Sequence, residues 1–309
     1  MSNPKHRILV YLGNGVQGGA VAREAARRGF AVTALVRDRA AGANLAKAGI
    51  DLAHGDLADL PSLDAAHAGV TEIVLQMPIG PLDMIRDFAA NALAAAKKAS
   101  VNMVVLKLAS ASRAAPCDEP SFVANNVIEA MVRSSGLACA VIRPTMYLDN
   151  LLKPGVRQEV AVDGVFQVPI DISQRIAWTS ADDCAAAAMT LIENQACGGD
   201  HLISGPESVD GAELTAALSA GLGWTVTYRS EALDDFEREV DAAMGAGVGK
   251  RVASKFRFFQ NHKDEADAIL APPYVPQLGL EGFYPSSIED WARRHVKAFT
   301  EMPQQMSAR

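Results

Sequence analysis

A chain of 309 residues, 49% hydrophobic and 21% charged, reads as an ordinary globular protein with room for a nucleotide-binding domain and a smaller second one. Its formal net charge of −7 excludes a general electrostatic attraction to nucleic acid or to an anionic membrane. Four cysteines, Cys117, Cys139, Cys184 and Cys197, contain no C-x-x-C pair, and Cys197 with His201 is too small a set for zinc, so neither a disulfide frame nor a metal centre is expected.

Met1 to Arg7 is a polar tail followed by no signal-like apolar region, and no apolar stretch approaches a membrane span, so a cytoplasmic protein is expected. The run Ile8 to Leu12 reads as a buried strand. It leads into Gly13-Asn14-Gly15-Val16-Gln17-Gly18, a helical pattern ending at Gly29, and a second strand, Ala31 to Val36. Strand, G-x-G-x-x-G turn, helix and strand within about thirty residues is the context that makes the glycine motif a dinucleotide fingerprint. Gly13 allows the tight turn, Gly15 lets backbone approach a pyrophosphate, and Gly18 lets the helix pack close on the sheet. The helix start offers its N–H groups and the positive end of its dipole to the phosphates.

The end of the second strand bears on which dinucleotide binds. An NAD site places a carboxylate there for the ribose 2′-hydroxyl, whereas an Arg accommodates the 2′-phosphate of NADP. Here Val36 is followed by Arg37, Asp38 and Arg39, and Arg37 can grip a phosphate with two donors. Asp38 turned inward would argue the other way, and both arginines can also be read as solvated charges. NADP(H) is the expected cofactor.

The alternation continues. A helix is expected over Arg39 to Ala48, a strand over Ile50 to His54 and a turn at Gly55-Asp56-Leu57. Asp56 can accept from an adenine amino group or cap the next helix, Ser62 to His67. Then follow a strand from Glu72 to Met77 ended by Pro78, a helix from Asp83 to Lys98, a strand from Val101 to Leu108, a helix from Pro120 to Ser134, and a strand from Cys139 to Ile142. This order predicts an α/β fold: a doubly wound parallel sheet covered on both faces, with ligands off the carboxyl ends of its strands. The turns at Gly13, Arg37, Asp56, Met77 and Ser110 should line one crevice, which makes Leu57, Pro78 and Lys107 further cofactor contacts. Strand alternation can also turn Lys107 into a helix layer with only its stem buried.

The segment SSGLACAVIRPTMYLDNLL, ending at Leu152, resembles the end of the sixth strand in the NmrA-like family of atypical short-chain dehydrogenases/reductases. The glycine loop, Arg37, Gly55-Asp56-Leu57, Trp178 to Asp183 and His201 to Glu207 also match that family. The resemblance covers roughly Arg7 to Thr227. It implies an extended Rossmann fold, NADP(H) as usual cofactor, and a smaller α+β substrate lobe built after Asn150. Residues 1–150 with about 174–200 would form the nucleotide domain, and 151–173 with 201–309 the substrate-side lobe.

The wider superfamily that the chain resembles uses a Tyr whose pKa is lowered by a Lys four residues on, one face of a helix carrying both. None of the five tyrosines, Tyr11, Tyr147, Tyr228, Tyr274 and Tyr284, has a Lys at that spacing. The helix that should carry the pair has Asn125 and Asn126 instead, which read as surface or pocket-wall residues. The family's serine falls near Ala109 or Ser110. The remaining catalytic candidates are Tyr147, an admissible general acid or else a core aromatic, Asn150, which can orient a carbonyl or cap the next element, and Ser110.

The second lobe shows less chemistry. A helix opening at Ser180 with Asp183 in capping-box position, a helix over Gly211 to Leu222, a strand over Trp224 to Tyr228, helices over Asp234 to Ala243 and Val252 to Asn261, and a last helix from Ser286 with Glu289 at capping-box spacing are expected. Phe256, Phe258 and Phe259 read as core or as a substrate cage beside a mobile lid. The last residues, Met302 to Arg309, read as frayed. Two functions follow: a reductase of a small apolar carbonyl, quinone or conjugated alkene, or a non-catalytic protein that senses NADP(H) redox state. The expected partner is a small molecule, neither nucleic acid nor membrane, and a homo-oligomer is compatible with the sequence.

Overall fold

The computed structural model describes residues 6–301. Most of the expected N-terminal tail and the frayed stretch from Met302 onward lie outside the described residues. The elements run β1 (Arg7–Val10), α1 (Val16–Arg27), β2 (Ala31–Val36), α2 (Ala43–Lys47), β3 (Asp51–His54), α3 (Leu60–Ala66), β4 (Glu72–Leu75), α4 (Leu82–Lys98), β5 (Met103–Lys107), α5 (Pro120–Ser134) and β6 (Cys139–Pro144). They continue with α6 (Pro154–Gln158), β7 (Val165–Val168), α7 (Ala181–Glu193), β8 (Asp200–Ile203), α8 (Gly211–Leu222) and β9 (Thr227–Ser230). Four helices close the chain: α9 (Leu233–Met244), α10 (Val248–Asn261), α11 (Lys263–Leu270) and α12 (Ile288–Thr300).

Two compact units form, the first from Met1–Pro144, Ala181–Ile203 and Val275–Tyr284, the second from Thr145–Ser180, Ser204–Tyr274 and Pro285–Arg309. In the first, seven strands make one sheet in the order β3-β2-β1-β4-β5-β6-β8, every pair parallel. This is a Rossmann-like α/β sheet. Its central strands are apolar without alternation because helices cover both faces: Ile73, Val74 and Leu75 of β4 and Val104 and Val105 of β5 are fully buried. Strand order reverses between β1 and β4, so the carboxyl ends of those strands flank the crevice where such sheets take ligands.

The unit boundaries differ from the expected ones in four places: 145–150 and 174–180 fall in the second unit, and 201–203 and 275–284 in the first. Met146 and Leu148 exchange hydrogen bonds with Thr179, which puts 145–150 in the second unit. Residues 201–203 belong to β8 and hence to the sheet. Residues 275–284 return to the first unit, where Gln277 Nε2 donates to the Leu202 carbonyl at 2.7 Å and Asn194 Nδ2 to that of Gly279 at 3.2 Å.

In the second unit β7 and β9 pair in parallel as a two-stranded sheet. The expected strand Trp224 to Tyr228 is displaced to Thr227–Ser230, because Ser219 Oγ takes the Val226 N–H at 2.8 Å and the Trp224 indole donates to Val160. Helix α8 starts in a complete capping box formed by Asp210 and Glu213. Helix α12 is capped by Ser287, which accepts from the Asp290 N–H at 3.1 Å, one residue past the expected cap, since Ser286 is engaged by Arg294. Arg257 pairs with Glu237, and the Gly249 N–H donates to Asp241 at 2.6 Å, so α9 and α10 are pinned together. Phe258 and Phe259 are buried, and Phe256 packs edge-on against Phe236. Phe256 and Phe259 also border a cavity of about 370 Å3 with Asp171, Gln174, Glu231 and Lys263. No described helix is long and apolar enough to cross a membrane.

Candidate functional site

The site is built from the carboxyl edge of the first unit's sheet. Between β1 and α1 the chain makes a sharp passage: Leu12 adopts φ 51°, and the Gly15 N–H closes on the Leu12 carbonyl at 3.0 Å. A Cβ on Gly13 would stand 2.6 Å from the Ala34 Cβ, and one on Gly18 would stand 2.2 Å from the Leu12 carbonyl oxygen. Gly13 and Gly18 are therefore required by close approach of loop to β2 and of α1 to the strand end. Asn14, Gly15 and Val16 face solvent, and Gln17 is half-buried. No side chain caps α1, and its first turn holds no acidic residue. An uncapped helix start at the strand-order reversal, cradled by glycines, fits the pyrophosphate of a dinucleotide.

Behind the loop lies a buried polar pair absent from the sequence reading. The His67 Nδ1 donates to the Leu63 carbonyl at 2.7 Å, so its Nε2 accepts from the Tyr11 hydroxyl at 3.3 Å. Burial pushes the imidazole pKa below its ordinary value and the phenol's above its own. Gln76, at the end of β4 and also buried, donates to the Tyr11 carbonyl at 3.1 Å and so ties β4 to the residue entering the loop. A lone Gln at the end of an apolar run was the only available signal for it.

Arg37 stands exposed at the end of β2, and among the described residues it makes no hydrogen bond or ion pair. Asp38 is turned to its own chain, accepting from the Ala40 N–H at 2.8 Å. Asp56 likewise accepts from the Ala58 N–H at 2.9 Å while its own N–H donates to Ser62 Oγ at 2.9 Å. It closes the turn after β3 and does not cap α3, whose N-cap is Asp59. Leu57 is buried, and its carbonyl accepts from Asn91 of α4 at 2.9 Å. Beside that bond is a cavity of about 480 Å3 lined by Ala58, Met84, Asp87, Phe88, Ala90 and Asn91. Met77 and Pro78, both half-buried, follow β4 on the same edge.

Lys107 corrects the sequence reading most. It is not a stem with a solvated head: the whole residue is 2% exposed, and its Nζ donates to Gln17 Oε1 at 2.5 Å. It thus faces the glycine loop rather than a helix layer. After β5, the buried Ser110 is held by Asn125 of α5, whose Nδ2 donates to Ser110 Oγ at 3.1 Å and to the Ala111 carbonyl at 2.8 Å. Asn126 reaches Ser112 Oγ at 3.4 Å. The two asparagines are a clamp on this loop, not surface residues.

The other catalytic candidates fall in the second unit. Tyr147 is buried and bridges in parallel to Thr179. Asn150 is half-buried in the 3-10 turn Leu148–Leu152, and the following helix α6 takes Lys153 as its N-cap, so Asn150 does not cap it. Ser110 in one unit and Tyr147 with Asn150 in the other are brought to their places by different elements. Of the expected cofactor contacts, all of Gly13 to Gly18, Arg37, Asp56, Leu57, Met77, Pro78 and Lys107 lie at one edge of one sheet. His201 is buried in β8, and burial lowers its pKa. Among the described residues no group of His, Cys, Asp and Glu has the geometry to hold a metal ion.

Residues 4–294 match the model of the NmrA-like family. The chain is 30% identical over 94% of its length to NAD(P)H azoreductase of Xenophilus azovorans, of which it covers 99%. Its fold is similar to that of Citrobacter sp. triphenylmethane reductase complexed with NADP(H), with TM-score 0.73, 18% identity, and coverage of 94% of this chain and 99% of that one. It is likewise similar to Nmra, a negative transcriptional regulator in complex with NAD, with TM-score 0.69, 20% identity, and coverage of 94% and 95%. A family match over nearly the whole chain, on a sheet whose reversal point carries an uncapped glycine-cradled helix, places this protein in the NmrA-like family.

Proposed function

We propose that this protein is a cytoplasmic NADP(H)-dependent reductase of a small, largely apolar acceptor: a carbonyl, a quinone or a conjugated alkene. The observation that carries the cofactor choice is the pair at the end of β2: Arg37 exposed and unengaged, with Asp38 already committed to the Ala40 N–H. A guanidinium so placed suits a 2′-phosphate, and no free carboxylate stands there to repel it. The N–H groups at the start of α1 receive the pyrophosphate. The adenine lies against the cavity beside Leu57, and Met77 and Pro78 border the other half of the cofactor.

When bound, the nicotinamide supplies the hydride, and the chain supplies position and water exclusion. Ser110, fixed by Asn125, is the first unit's candidate for orienting an acceptor or delivering a proton, and Tyr147 and Asn150 are the second unit's own candidates. The name of the 30% identical relative adds azo compounds to the acceptors worth trying. Assignment of the second unit as the substrate-side lobe belongs to the same reading.

The test is NADPH oxidation against a panel of quinones, enones, aldehydes and azo compounds, together with calorimetry of Arg37→Ala. Turnover with at least one class is expected, and the variant should lose about tenfold or more in NADPH affinity with little change for NADH, the scale of one charge-assisted contact. Equal losses for both nucleotides would undo the 2′-phosphate assignment. The absence of any Tyr-x-x-x-Lys pair favours a second reading, a sensor of the cofactor's redox state; it predicts tight NADPH binding with no turnover across the panel.

A further inference from the structure

The small sheet of the second unit ends at a cavity. Val168 and Ser230 are the last paired residues of β7 and β9, and the Glu231 N–H still reaches the Val168 carbonyl at 3.0 Å. Pro169 and Glu231 therefore leave the sheet side by side, and with Phe256 and Phe259 of α10 they border a space of about 370 Å3. That is the size of a small-molecule site, which runs to roughly 300–1,000 Å3. Most of the hydrogen-bond donors around it are spent. The Tyr228 hydroxyl and Ser230 Oγ both donate to the Ile170 carbonyl, at 3.0 and 2.9 Å. Gln174, only 8% exposed, gives its amide N–H groups to Asp267 at 2.7 Å and to the Arg175 carbonyl at 3.1 Å. Gln260 gives one of its own to the Pro169 carbonyl at 3.4 Å. Both glutamine oxygens meet no donor among the described residues, so the wall offers mainly acceptors: these two oxygens and the carboxylates of Asp171 and Glu231.

The charges on this wall do not balance. Asp171 is satisfied by the Ser173 hydroxyl and N–H, which together with the nearby Lys263 hold its carboxyl below the ordinary range. Glu231 makes no ion pair among the described residues, and one of its oxygens lies out of reach of solvent and meets no donor. Burial and the carboxylates of Glu239 and Glu159 push its pKa up, against the pull of the Gln167 side chain. A buried acceptor of this kind is costly until a donor arrives, and a carboxylate among carboxylates calls for a positive one. We propose that the cavity binds a small organic cation with a flat apolar body, its ammonium or amidinium group meeting Glu231 and the glutamine oxygens and its body lying against Phe256 and Phe259. Aromatic faces attract such a cation further. A bare metal ion does not suit the site, since no group of described residues has the geometry to hold one. The assignment needs no nucleotide, so its failure would leave the reductase reading standing.

The experiment is calorimetric titration of three probes of one shape and different charge into the full chain: tryptamine, a cation; tryptophol, neutral; and indole-3-acetate, an anion. Benzamidine and phenylguanidine extend the cationic set. At least one cation should bind one-to-one, tryptamine about tenfold or more tighter than tryptophol, the scale of one charge-assisted contact, and indole-3-acetate should not bind. Glu231→Gln keeps the shape of the wall and removes its charge, so it should lose about tenfold in tryptamine affinity with little change for tryptophol. Phe256→Leu should lose a few-fold, the scale of a cation–π contact. Absence of binding by every cation, equal affinity for tryptamine and tryptophol, or wild-type tryptamine affinity in Glu231→Gln overturns the proposal. Should Glu231→Gln not fold, Lys263→Gln, at an exposed position, removes the opposing ammonium from the rim and should tighten tryptamine binding several-fold. An unchanged affinity in that variant overturns the proposal equally.

Discussion

At Gly18 the absence of a side chain is a packing requirement, because even a methyl group would press 2.2 Å from a backbone oxygen that has no room to move. Gly18→Ala should cost about 1–3 kcal/mol or more by overpacking and should displace the start of α1. Chemical denaturation together with NADPH titration checks both effects, and a variant with wild-type stability and affinity would show that the loop is not held as tightly as the contact demands. The same scale separates Arg37 from its neighbours. Three charged residues follow Val36, and the hydrogen bond from the Ala40 N–H to Asp38 shows that the carboxylate among them is turned to its own chain. His67 and Tyr11 teach a related lesson: isolated in sequence, they form one buried pair behind the loop.

Between elements, the tie that joins α5 to the far side of the sheet is ionic. Glu129 of α5 accepts from Arg143 of β6 at 2.5 Å and from Arg133 at 3.0 Å, and Arg143 reaches Asp200 of β8 at 2.7 Å. Burial works to raise the Glu129 pKa, but the bonds from Arg143, Ser112 and Arg133 and the charge of Arg143 outweigh it and hold the carboxyl below its ordinary range. A carboxylate whose folded pKa is depressed contributes stability that is present above its unfolded pKa and lost as pH falls through the folded one. Glu129→Gln should therefore cost about 1–3 kcal/mol near neutral pH, leaving the partly buried Arg143 with Asp200 as its remaining carboxylate partner. The gap to wild type should close as the medium is taken below the carboxylate range. Thermal melts of both proteins across that range check it, and a gap independent of pH would mean that the ion pair is not the source.

At the scale of the whole molecule, cofactor binding and folding are linked. A ligand held only by the folded chain stabilises it by about 2.7 kcal/mol at a hundred times its dissociation constant. NADPH should therefore raise the melting temperature in proportion to the logarithm of its concentration, and 2′,5′-ADP should do so to a smaller extent. A melting point indifferent to both would argue against a folded nucleotide site. The second unit, with its own two-stranded sheet, capped α8 and aromatic-lined cavity, is the part from which acceptor specificity would come.

The sequence by itself determined the sheet, the glycine turn and the order of strand and helix through β6, because those depend on local periodicity and on turn chemistry that repeats over short spans. It also placed α5 and α8 to the residue and exposed the missing tyrosine–lysine pair. Only the tertiary structure decided that Lys107 is wholly buried against Gln17, that Asn125 clamps the loop after β5, and that 275–284 returns to the first unit. It also decided that β7 exists at all, since its partner β9 lies some sixty residues on. Each of these turns on contacts between residues distant along the chain, where a side chain's identity fixes what it can bond to but not what the fold will bring within its reach.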